Sequence, residues 1–87
     1  MTMHAVLLKC RVLSASSQDA IYSPIGVAEI IDILTRGIEL LELGAEPNRD
    51  ELRLLFAPTG ALQETSMDNG WTQDYLALSE AFDELIA

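Results

Sequence analysis

The segment that most restricts the fold runs from Tyr22 to Gly44, YSPIGVAEIIDILTRGIELLELG. Val27, Ile30, Ile31, Leu34, Ile38 and Leu41 recur at steps of three and four, the spacing that gathers side chains on one face of an α-helix. Glu29, Asp32, Arg36 and Glu39 fall on the other side. Ile33, Leu40 and Leu43 widen the apolar sector beyond what a single neighbouring helix covers. A helix of this kind is central, or it also faces a partner. Ser23 suits the N-cap and Pro24 the first helical position, where its missing N–H costs nothing. Gly44 is a natural stop and Pro47 prevents continuation, so the pattern predicts a helix over 24–43.

A second, shorter helix follows in PNRDELRLLFAPTG. Asn48 caps it, Asp50 and Glu51 occupy the first turn where the helix dipole favours anions, and Leu52, Leu55 and Phe56 share a face. Pro58 and Gly60 close it. ALQETSM forms a turn or a short helix with Leu62 and Met67 as its apolar contacts. DNG is a turn signal, and Thr72 caps a last helix whose core stripe is Tyr75, Leu78, Phe82 and Leu85. The run HAVLLKCRVL, within residues 3–13, does not declare its period and reads equally as a short helix or an edge strand. SASSQD reads as a loop after it, and residues 1–22 are expected to be partly flexible. With 87 residues, and apolar content drawn mainly from Leu, Ile and Ala, the chain suits one small domain, 1–87. The expected class is all-α, a compact bundle of about four helices.

Charge excludes whole classes of partner. Fourteen acids against five basic residues give a net charge of −9, which repels nucleic acid and anionic membranes alike. No segment approaches the ~20 apolar residues of a membrane span. The N-terminal apolar stretch is broken by Lys9 and Arg11, unlike an export signal. A single cysteine, Cys10, permits no internal disulfide and fits a reducing compartment. The expected location is the cytoplasm.

Nothing in the sequence assembles into a catalytic site. His4, the one histidine, lacks a fixed partner for general-base work. Lys9 and Arg11 beside Cys10 would favour its thiolate, but a buried inert thiol is the simpler expectation. PTGALQET lacks the lysine and spacing of a phosphate loop. DNGWTQDY does not complete a calcium loop, although Glu64, Asp68 and Asp74 supply carboxylates. The expectation is a non-enzyme with no cofactor and no metal.

The closing segment, TGALQETSMDNGWTQDYLALSEAFDEL, raises a different possibility. Residues 54–87 hold six acids and neither Lys nor Arg. A solvated face ordinarily mixes signs, because mixing relieves repulsion and forms i,i+4 pairs. A one-signed field serves steering toward a basic protein. Two roles are open to Trp71: a core residue covering Leu62 or Phe56, or an interface anchor alongside Tyr75. The candidate partner-binding residues are Glu64, Asp68, Trp71, Asp74, Tyr75, Glu80, Asp83 and Glu84. In size, acidic character and the run PTGALQETSMDNGWTQDYLALSEAFD, roughly within residues 36–87, the chain resembles small immunity proteins that accompany bacterial polymorphic toxins. The resemblance implies a cognate toxin as partner and inhibition by occlusion. Two alternatives stand beside it: an assembly module that dimerises through helix 24–43, and a phage-encoded acidic inhibitor that mimics nucleic acid.

Overall fold

Thr2 decides the first ambiguity. Its Oγ1 accepts a hydrogen bond from Ala5 N at 3.1 Å and opens an α-helix. In the computed structural model, which describes residues 1–87, this helix is α1, Met3–Ala15. Val6, Leu7, Cys10 and Ser14 are its buried residues, a three-to-four spacing that only a helix puts on one side. The 3–13 run is therefore a helix and not an edge strand. Four more helices follow: α2 Val27–Glu42, α3 Arg49–Phe56, α4 Ala61–Asn69 and α5 Thr72–Ile86. The molecule is an all-α bundle, of five helices where about four were expected.

The α2 helix starts three residues later than Ser23 and Pro24 suggest. Gly26 is its N-cap and makes no side-chain cap bond. Instead, Asp19 reaches across the loop, and its Oδ1 accepts from Val27 N at 2.7 Å, supplying an acceptor and a negative charge to a helix N-terminus. Ser23 is diverted to Ile25 O at 2.6 Å. At the last helix Thr72 is the first helical residue rather than the cap, which is Trp71. Asn48 caps α3 as expected, accepting from Glu51 N at 3.2 Å. Gly70 ends α4 at φ 80°, with Trp71 N donating to Ser66 O at 3.0 Å, a left-handed cap that suits glycine.

The α1 and α2 helices run antiparallel in the most extensive helix contact of the molecule. His4 meets Glu42 at one end, and Arg11 donates to Thr35 further along. The other flank of α2 meets α3 and α4, and α5 closes the bundle over α1 and α4. Contact with three other helices accounts for most of the wide apolar sector of α2, but Leu43 remains 82% exposed. The core cluster holds 15 buried residues drawn from all five helices. Phe56 and Phe82 stack within it at a centroid distance of 4.2 Å. Three expected apolar contacts are not core: Leu43 is 82% exposed, Met67 54% and Leu85 40%. Leu43 is the C-cap of α2, and Met67 and Leu85 lie toward the C-terminal ends of α4 and α5, whose inward faces are filled by Leu62 and Phe82. The turn between α3 and α4 is tight. A Cβ at Gly60 would lie 2.7 Å from Ala57 O and 2.8 Å from Leu54 O, and backbone oxygens cannot give way.

Candidate protein-binding surface

The closing segment does two separate jobs. The end of α4 and the Gly70–Trp71 turn after it, Asp68 to Trp71, bind the loop between α1 and α2. Asn69 Oδ1 accepts from Gln18 N at 2.9 Å, and its Nδ2 donates to Gln18 O at 2.9 Å. Asp68 Oδ2 accepts from Ile21 N at 3.3 Å. Trp71 Nε1 donates to Ser17 Oγ at 2.9 Å. These bonds join residues about fifty positions apart and close the bundle at this end.

Trp71 and Tyr75 thus leave the candidate surface. Trp71 is only 7% exposed and Tyr75 4%. Tyr75 donates its phenol to Phe56 O at 3.2 Å, and burial pushes its pKa up. Both rings lie in the main core cluster, because a large aromatic gains most where area is buried and its polar tip still finds a partner. Of the two roles open to Trp71, burial selects the core role, and Tyr75, named beside it as a binding candidate, lies in the core as well.

The second job falls to the acids of α5. Asp74, Glu80, Asp83 and Glu84 are all exposed. At 100° per residue, Glu80 and Glu84 share the ridge opposite the buried Tyr75–Leu78–Phe82 face, and Asp83 lies beside them. Asp74 lies on the opposite margin of the helix from Asp83. Asp68 is occupied with the loop, and Glu64 is half-buried in the first turn of α4. Of the six candidate acids, the fold gathers Glu80, Asp83 and Glu84 and separates the other three.

The ion pairs sharpen this contrast. His4–Glu42, Arg36–Asp32, Arg36–Glu51, Arg49–Glu46 and Arg53–Asp50 all fall within residues 4–53. None involves an acid of α4 or α5. Arg53 and Asp83 line one cleft of about 430 Å³, over a floor that includes Phe56 and Phe82, yet Arg53 pairs with Asp50 at 3.7 Å. The α5 helix also ends against its own dipole. Asp83 and Glu84 sit in the last turn, where no basic residue offsets the negative helix end.

Cys10 is fully buried, and burial pushes its thiol up to about 12, the reverse of what flanking cations alone would do. The cause is orientation: Lys9 points to solvent and Arg11 to Thr35, while the sulfur enters the core. His4 is tied to Glu42 at 3.0 Å at a half-open surface. No three His, Cys, Asp or Glu side chains come together in a way that suits a metal ion. No helix is long and apolar enough to cross a membrane. Comparison with protein families, curated proteins and solved structures finds no match to this chain.

Proposed function

We propose that the protein is an inhibitory binding protein of the immunity-protein or antitoxin type, acting in a bacterial cytoplasm on a basic partner, a toxin whose active site it covers. The supporting observation is the segregation of charge. Every ion pair lies within residues 4–53, and the acids of α5 are left without a counter-charge. Glu80, Asp83 and Glu84 form a negative ridge that repels itself and opposes the α5 dipole. A basic protein removes both penalties on binding, and its approach is accelerated by the same field.

The test is the association rate with the basic protein recovered on this chain at low salt. Raising the salt from about 0.01 M to about 1 M contracts the Debye length from ~30 Å to ~3 Å, so the rate falls steeply. Replacing Glu80, Asp83 and Glu84 together by lysine slows association by about tenfold or more at low salt. An unchanged rate, or one insensitive to salt, overturns the proposal.

A further inference from the structure

Two of the most exposed large apolar side chains on the molecule are adjacent. Ile21 is 85% and Tyr22 82% exposed, yet the loop that carries them is held from several sides. Asn69 bonds Gln18 through both backbone groups, and Asp68 takes Ile21 N. Asp19 caps α2, Ser23 N closes on Ala20 O, and Ala20 itself is buried. A loop fixed this firmly displays an Ile–Tyr pair to water in a defined place. Tyr is enriched at binding hot spots, and a pre-formed loop loses little freedom when it docks.

The charge on either side of this loop identifies what it meets. One flanking recess, about 370 Å³, is lined by Asp19, Ile21 and Asp68 among others, and by no Lys or Arg. The other, an apolar groove of about 360 Å³, runs between Pro24, Ile25 and the 72% exposed Leu54, with Glu51 as its one charged residue. Each of the three remaining recesses contains an arginine: Arg53, Arg36 or Arg49. The surface around residues 18–25 is therefore apolar at its centre, with Asp19 and Asp68 and no cation on one side, and Glu51, paired with Arg36 at 3.1 Å, at the far edge of the groove.

We propose that this loop is the anchoring edge for a basic protein partner. Ile21 and Tyr22 enter an apolar pocket of the partner, a Lys or Arg of the partner lies against Asp19 Oδ2 and Asp68 Oδ1, the carboxylate oxygens not bonded within the loop, and an apolar side chain rests in the groove beside Leu54. The inference rests on the proposed inhibitory function and divides the labour within it. The α5 ridge sets how fast the partner arrives, and the loop sets how long it stays.

The test uses isotope-labelled protein and two synthetic helical peptides, one of Leu and Lys and one of Leu and Glu. Amide shifts are followed by NMR. The Leu/Lys peptide is expected to move Asp19, Ile21, Tyr22, Leu54 and Asp68. Ile21→Ser with Tyr22→Ala weakens it by about tenfold and leaves the melting temperature unchanged, since both side chains are solvent-exposed. Asp68→Asn, which keeps the acceptor for Ile21 N, weakens it while the loop shifts persist. Shifts confined to Glu80, Asp83 and Glu84 overturn the loop assignment and leave the basic-partner reading standing. Equal binding of the Leu/Glu peptide, or no binding of either, overturns both. Loop shifts that follow protein concentration without peptide assign the surface to a second copy of the chain and overturn the inference.

Discussion

Replacing Glu84 with lysine should make the protein more stable. Glu80 and Glu84 stand one turn apart on the exposed ridge of α5, and like charges at that spacing cost ~0.2–0.5 kcal/mol. A cation at position 84 removes that repulsion and adds an attraction of similar size, with the glutamate on the favourable N-terminal side. It also places positive charge in the last turn of a helix ending at Ile86, a dipole interaction of ~0.3–1 kcal/mol. The side chain is exposed, so no packing is lost. Together these effects raise stability by about 1 kcal/mol. For a domain of this size that is a rise in Tm of ~4–8 °C. Differential scanning calorimetry at low salt measures it directly. Glu84→Gln, which only relieves repulsion and an unfavourable dipole contact, should fall between the two. Near 1 M salt the difference between variant and parent should shrink, because exposed charges are screened within ~3 Å. A Glu84→Lys protein that is no more stable at low salt refutes the claim that the α5 acids are uncompensated.

Three further outcomes follow from the packing. Gly60→Ala forces a methyl group against Ala57 O and Leu54 O; overpacking of this kind costs ~1–3 kcal/mol, read as a lowered Tm with an unchanged far-UV spectrum. The Thr65 hydroxyl is buried without a hydrogen-bond partner, so Thr65→Val, equal in shape, stabilises by about 1 kcal/mol in urea unfolding. Cys10 has a folded pKa raised from 9.0 to about 12. The folded state thus holds its proton more tightly, and stability is fully present below pH 9.0 and falls as pH rises toward about 12, by up to ~1.4 kcal/mol per pH unit. Cys10→Ala flattens that alkaline limb in denaturant titrations, and the native thiol should react with a disulfide reagent only on unfolding.

Local signals carried most of the helical architecture. The α2 stripe, the Asn48 cap and the Leu52–Leu55–Phe56 face depend on residues within one or two turns of each other, which a sequence displays directly. The identity of α1 was undecided because eleven apolar-rich residues fit two periods; the distinguishing Thr2 cap lies outside the run. The start of α2 departs from the local pattern because the acceptor for its first N–H, Asp19, lies eight residues upstream across a loop. Ser23 and Pro24 offered the local pattern without the geometry. The stitching of Gln18, Ile21 and Ser17 to Asn69, Asp68 and Trp71 spans 47–54 positions, and no periodicity records such pairing. At the candidate site, sequence supplied the excess of acids near the C-terminus but not their directions. Helical phase separates Asp74 from Asp83, and hydrogen bonding commits Asp68 to the loop. Trp71 and Tyr75 turn inward because both find an acceptor there, the half-buried Ser17 Oγ and the buried Phe56 O. The exposed Ile21–Tyr22 pair had only a faint signal, two adjacent large apolar residues between Asp19 and Pro24.

The most direct measurement of the central claim needs no partner. Paramagnetic relaxation of each backbone amide by a cationic nitroxide, compared with a neutral one at low salt, maps the potential around the free protein. Enrichment of the cationic agent should peak at residues 80–86 and fade around Arg36, Arg49 and Arg53. A uniform enrichment over the whole surface contradicts the account, because the α5 acids would then create no field of their own.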